Sequence, residues 1–129
     1  MPDKKINKKI LIVEDEDSLL KVLHEIFIDE GFNVLIAKDG EDGLKIALRD
    51  HPDMILLDLV MPKKDGITFL KELREDEWGK SATVIVLSNL KDAEEVSVAL
   101  EQKAFDFLIK TDWKLEDVVK KVKLKLGVK

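Results

Sequence analysis

Ile10-Leu11-Ile12-Val13-Glu14-Asp15-Glu16-Asp17 is four apolar residues without interruption, followed by four carboxylates. An amphipathic stretch striped by Leu19, Leu23, Ile26 and Phe27 comes next. A continuous apolar run of this length reads as a strand buried on both faces, as in a parallel sheet covered by helices. The unit recurs along the chain. Further apolar runs are Val34–Ala37, Met54–Leu57, Val84–Leu87 and Phe107–Ile109. The stretches after them carry helical stripes: Leu44, Ala47 and Leu48; Ile67, Leu70 and Leu73; Ala93, Val96, Ala99 and Leu100; Leu115, Val118, Val119, Val122 and Leu126. The spacing predicts an α/β fold of the (βα)5 kind, a doubly wound five-stranded parallel sheet with right-handed crossovers.

The punctuation agrees. Gly31 is placed to end the first helix with a positive φ, and Pro52 follows the second helix as a stop. Residues 1–8 are a polar, Lys-bearing lead-in expected to be flexible and to fray, and the domain is expected over 9–127. The Lys-rich end, 120–129, suits a solvated helix face and a helix C-terminus, where positive charge is favourable.

Composition narrows the chemistry. In 129 residues there is no Cys, which excludes disulfides, iron–sulfur clusters and thiol nucleophiles. Only His24 and His51 are present, too few for a histidine-rich zinc site, and both are expected at the surface rather than as phosphocarriers. A net charge of −5 argues against general nucleic-acid affinity. No apolar run approaches a membrane span and no signal-peptide core is present, so the expected location is cytoplasmic.

Ligands of open α/β sheets bind at the carboxyl ends of the strands, beside the switch in strand order. Those ends carry Glu14-Asp15, Asp58, Ser88 and Lys110. Singly, an Asp or Ser there reads as a helix N-cap and a Lys as a solvated side chain. Together, three carboxylates at the end of a buried sheet would repel one another unless a divalent cation sat among them. With no His or Cys in the group, the ion would be Mg2+ or Mn2+. A metal-bound carboxylate beside a hydroxyl and an ammonium suits phosphoryl transfer, with Asp58 able to attack phosphorus itself.

At these residues the sequence closely resembles the receiver domain of two-component response regulators, the CheY-like, flavodoxin-like fold with strand order 2-1-3-4-5. The matching pieces are Glu14-Asp15, Asp58-Leu59-Val60-Met61-Pro62-Lys63-Lys64-Asp65-Gly66, Val86-Leu87-Ser88 and Phe107-Leu108-Ile109-Lys110. They fall in order between about residue 8 and residue 126.

The resemblance implies that Asp58 is the phospho-acceptor. It implies metal ligation by Asp15, by Glu14 largely through water, by Asp58 and by the backbone carbonyl of Val60. Ser88 would hold a phosphoryl oxygen, Lys110 would pair with the phosphate, and Phe107 would be the aromatic switch residue, with the ordinary core aromatic as its bland reading. The output face would be the fourth helix, fifth strand and fifth helix, open to a downstream protein or a homodimer. The donor would be a histidine kinase or a phosphotransfer protein.

Pro62 and Gly66 are expected to shape the loop after Asp58, the first by its fixed φ and the second by access to positive φ. Lys110-Thr111 stands where many relatives have Lys-Pro, and a trans bond is expected there. Asn89 is larger than is common beside the site, and Trp113 is a candidate partner anchor. Val60 and Leu90 are apolar where attacking water would pass, which predicts slow loss of the phosphoryl group.

The expected protein is a signalling switch whose only chemistry is its own phosphorylation and dephosphorylation, not an enzyme acting on other substrates. Within these 129 residues no DNA-binding effector is expected. Output would come through a partner, self-association or a domain outside this chain. A phosphate sink and a phosphorylation-independent binding module are the alternatives. A dehalogenase-like phosphatase would need an Asp where Val60 stands. An FMN binder would meet repulsion at Glu14-Asp15-Glu16-Asp17, and no Walker-type phosphate loop occurs.

Overall fold

Strands β1 (Lys9–Val13), β2 (Asn33–Ala37), β3 (Met54–Asp58), β4 (Val84–Ser88) and β5 (Asp106–Ile109) form one parallel sheet in the order β2-β1-β3-β4-β5. The computed structural model describes residues 6–59, 64–88, 97–98, 101, 106–109 and 114–128, and the side chains of Ser88, Asp106–Ile109 and Leu115 fall outside that set. The helices are α1 (Asp17–Asp29), α2 (Gly40–Asp50), α3 (Gly66–Glu75) and a C-terminal helix (Leu115–Leu126). The stripe Ala93, Val96, Ala99 and Leu100 lies outside the described residues, although 97–98 and 101 are helical.

Alternation along each strand sorts the core into two layers. Leu11, Val13, Ile55, Leu57, Val84 and Val86 face α2 and α3, where Phe69, Leu70, Leu73 and Ala47 meet them. Ile10, Ile12, Met54, Leu56, Ile85 and Leu87 face the other way, onto Leu20, Leu23 and Phe27 of α1 and Val118, Val119 and Val122 of the C-terminal helix. The strands β1 and β3 are wholly inaccessible except at Lys9 and Asp58, as continuous apolar runs require.

The run Val34–Ala37 departs from the expectation. Val34 and Leu35 are half-buried and Ile36 is 43% exposed, because β2 is an edge strand with one neighbour and less helix above it. The helical stripes also shift slightly. Leu20, rather than Leu19, is the inward residue of α1, and Leu48 faces solvent while Gly40 and Gly43 take the inner face of α2.

Helix ends follow their local chemistry. Gly31 follows the C-cap of α1 with φ 100°, as its position predicts. Asp39 caps α2 by accepting from the Asp42 N–H at 2.9 Å, and Asp65 caps α3 by accepting from Thr68 N–H at 2.8 Å. His51 ends α2 in the left-handed region and stacks on Trp78, with ring centroids 4.5 Å apart. Arg74 donates to the carbonyls of Gly79 and Ala82 at 2.7 and 2.8 Å, joining α3 to the short turn Gly79–Ser81 and to the entry of β4. Burial lowers the pKa of this guanidinium from its usual value. Lys123 and Lys125 sit in the last turn of the C-terminal helix, and Lys123 pairs with Glu30 at 2.5 Å.

Candidate functional site

The parallel register assembles the site. Val13 pairs with Leu57, so the residues that follow, Glu14 and Asp58, stand side by side at the carboxyl edge of the sheet. These two strands flank the point where the strand order reverses, the usual ligand crevice of such sheets. Carboxylate oxygens of Glu14, Asp15 and Asp58 all lie within 4.8 Å of one another. Glu14 and Asp58 are 0% and 4% exposed, whereas Asp15 is open to solvent.

None of the three is a helix cap. The N-cap of α1 is Glu16 and that of α3 is Asp65. Glu14 turns back one carboxylate oxygen to accept the Glu16 N–H at 3.0 Å, which fixes its side chain at the strand end. Two ionised carboxylates at this spacing repel by about 3 kcal/mol at an effective dielectric of about 20. A cation among them reverses that sign. The donor set is hard oxygen only, and Asp15 leaves one side open to water, as suits an ion that keeps part of its hydration. The residues present therefore fit Mg2+ or a similar divalent cation.

The loop leaving Asp58 is clamped at its base. The Gly66 N–H donates to the Leu59 carbonyl at 2.8 Å. A Cβ on Gly66 would lie 2.6 Å from Leu59 Cα and 2.8 Å from the Asp58 carbonyl oxygen. The expectation that Gly66 supplies a positive φ is corrected here. Gly31 and Gly127 are the described glycines with positive φ, and Gly66 is required for close approach instead.

Other expected site residues are placed in part or not at all. Ser88 is the last residue of β4, one step beyond Leu87, the register partner of Asp58, and itself pairs with Ile109. Phe107 lies on β5 opposite Val86. Val60, Met61, Pro62 and Lys63 lie outside the described residues, as do Asn89, Leu90, Lys110, Thr111 and Trp113. His24 is half-buried on α1, and His51 is exposed at the C-cap of α2.

Two contacts had no place in the sequence reading. Lys64 pairs with Glu72 on α3, and the Lys64 carbonyl rests against Gly40. A signal was present: glycine at the first position of a helix is a weak helix former, so it asks for a packing reason.

Residues 10–123 match the family described as response regulator receiver domain. The chain is 44% identical over 102 residues to the transcriptional regulatory protein CpxR of Klebsiella pneumoniae, covering 79% of this chain and 42% of that protein. It is 40% identical over 106 residues to the alkaline phosphatase synthesis transcriptional regulatory protein PhoP of Bacillus subtilis, covering 81% of this chain and 43% of that one. The chain thus spans less than half the length of these relatives. Among solved structures, the receiver domain of the sensor histidine kinase PA1611 from Pseudomonas aeruginosa superposes with a TM-score of 0.85 at 25% identity, over 95% of this chain and 99% of that one. That structure has a magnesium ion coordinated in its active-site cleft. By sequence match over most of its length and by strand order, this chain belongs to the response regulator receiver domain family.

Proposed function

We propose that this protein is a phosphorylation-dependent switch of a two-component relay, with Asp58 as the phospho-acceptor. The observation that carries the reading is the meeting of Asp58 with Glu14 and Asp15 at the strand-order switch, with Glu14 and Asp58 buried and Asp15 open to solvent. Glu14, Asp15, Asp58 and the Val60 carbonyl would hold Mg2+, the ion reported in the cleft of the PA1611 receiver. Such an ion would neutralise the carboxylates and the phosphoryl oxygens, which otherwise repel.

A carboxylate oxygen of Asp58 forms the O–P bond as the N–P bond of a donor phosphohistidine breaks. The electron pair of that bond stays on the imidazole nitrogen, which takes a proton. Ser88 donates to a phosphoryl oxygen and Lys110 pairs with the new charge. Phe107 reports the change to the face formed by the fourth helix, β5 and the C-terminal helix, where a downstream protein or a second copy reads it. Loss of the signal is hydrolysis: water attacks phosphorus, and the Asp58 carboxylate and inorganic phosphate are regenerated. Val60 and Leu90 offer that water no polar partner, so loss is slow. The chemistry is confined to this cycle on the chain's own side chain.

Intact mass after incubation with Mg2+ and acetyl phosphate tests the reading. One added phosphoryl group in the parent, and none in Asp58→Asn, is the expected result. Equal uptake by both overturns the assignment of the acceptor. No uptake from acetyl phosphate or from a phosphohistidine donor favours a phosphorylation-independent binding module.

A further inference from the structure

We infer that the outer edge of β2 is a self-association surface: two copies pair their β2 strands antiparallel about a two-fold axis at Leu35, joining their sheets into one.

β2 stands at the end of the strand order, with β1 on its inner side. The Asn33 N–H donates to the Lys8 carbonyl and the Ala37 carbonyl accepts from the Glu14 N–H, both at 3.0 Å. In a parallel ladder such groups alternate along the strand. Leu35 therefore also faces β1, while Val34 and Ile36 direct their N–H and C=O groups outward. Edge strands are commonly blunted by a charge or a Pro, yet Asn33-Val34-Leu35-Ile36-Ala37 carries neither.

Apolar side chains frame this edge on both faces. Val34 and Ile36 lie on the α1 side of the sheet and Leu35 on the α2 side. Asp17 pairs with Lys38, just past β2, so the stripe of α1 that begins at Asp17 overhangs the edge. Exposed Ile28 lies on that stripe about three turns further on. On the opposite face, Gly43 of α2 abuts Phe69 of α3, and exposed Leu48 is turned about 140° from Gly43. The ion pairs beside these residues, Lys38–Asp17 and Lys45–Glu41, are each neutral in a chain of net charge −5. Two copies thus approach here without the repulsion that the chain carries as a whole.

The strand is complementary to itself, which is why a second copy is the occupant. With Leu35 opposite Leu35 of the second copy, Val34 stands opposite Ile36 on both sides of the axis. Opposed residues of this kind exchange both hydrogen bonds, so every outward N–H and C=O of Val34 and Ile36 is satisfied. A register shifted by two residues sets Ile36 against Phe32, whose N–H is already bonded to the Phe27 carbonyl, or Val34 against Lys38, which holds Asp17. β5 is the other edge of the sheet, so this pairing leaves the β5 side uncovered and does not wait on Asp58.

Sedimentation of the full chain over a concentration series, with and without Mg2+ and acetyl phosphate, tests the inference. The expected result is a reversible dimer of equal affinity in both conditions. Ile36→Lys, at an exposed edge position, should weaken it about tenfold or more by setting a charge against Val34 on both sides of the axis. Leu124→Lys, at an exposed position on the C-terminal helix, should leave it unchanged. The amides of Val34 and Ile36 should gain exchange protection as concentration rises. Because the chain has no Cys, cross-linking reads the register. Leu35→Cys falls at a pair whose Cα atoms are about 4.5 Å apart, within disulfide reach, and should oxidise to a dimer far faster than Asn33→Cys. A parent that stays monomeric throughout overturns the inference and leaves the edge to a strand of another protein. A dimer that forms only after phosphoryl uptake overturns it too, as does one that Leu124→Lys disrupts and Ile36→Lys does not. Equal cross-linking at positions 33 and 35 also overturns it.

Discussion

At the scale of single residues, charge placement and close approach decide the site. Asp15 is the exposed member of a trio whose other members are buried, so its charge can be removed without opening a core cavity. Asp15→Asn is expected to raise the stability of the metal-free protein, by up to about 1 kcal/mol, through relief of repulsion. It is expected to weaken Mg2+ binding at the same time. Thermal melts with and without Mg2+ check both signs, since the metal-dependent gain in the parent should shrink in the variant. The carboxylates themselves were legible in the sequence because each ends an apolar run. The reason for Gly66 was not. Positive φ and close approach both demand glycine, and only the position of Leu59 against it separates the two. Gly40 was missed for the same reason, because its partner is 24 residues away along the chain.

At the scale of elements, the strands were read almost to the residue. Each observed strand holds its apolar run and extends it by no more than one residue at an end. What periodicity could not supply was neighbours. An edge strand and a central strand carry the same kind of run, and the exposure of Ile36 follows from the order of pairing rather than from Ile36 itself. The junctions between elements carry sharper predictions. Gly31 holds φ 100° between α1 and β2, and a side chain there costs about 1–2 kcal/mol. Gly31→Ala should lower the unfolding free energy by that amount in a denaturant titration while Mg2+ affinity stays at the parent value. Arg74 supplies two carbonyls, those of Gly79 and Ala82, where α3 turns toward β4. Arg74→Ala should cost about 1–3 kcal/mol by denaturant titration, because those oxygens lose their charged donor.

At the scale of the whole molecule, two apolar layers meet across one sheet and the acidic trio sits at its carboxyl rim. A ligand there bridges the end of β1 and the end of β3, so its binding energy adds to global stability rather than to one loop. At about 100 times its dissociation constant, Mg2+ should add about 2.7 kcal/mol to unfolding, and Asp58→Asn should lose most of that increment in a melt titrated with Mg2+. The opposite rim carries another kind of information. There Lys9 holds the Asp50 carbonyl at 3.0 Å, and His51 lies face to face with Trp78, the planes 7° apart. Light emitted from Trp78 therefore reports whether the end of α2 stays docked against the turn that leads into β4, at the end of the sheet remote from the carboxylates.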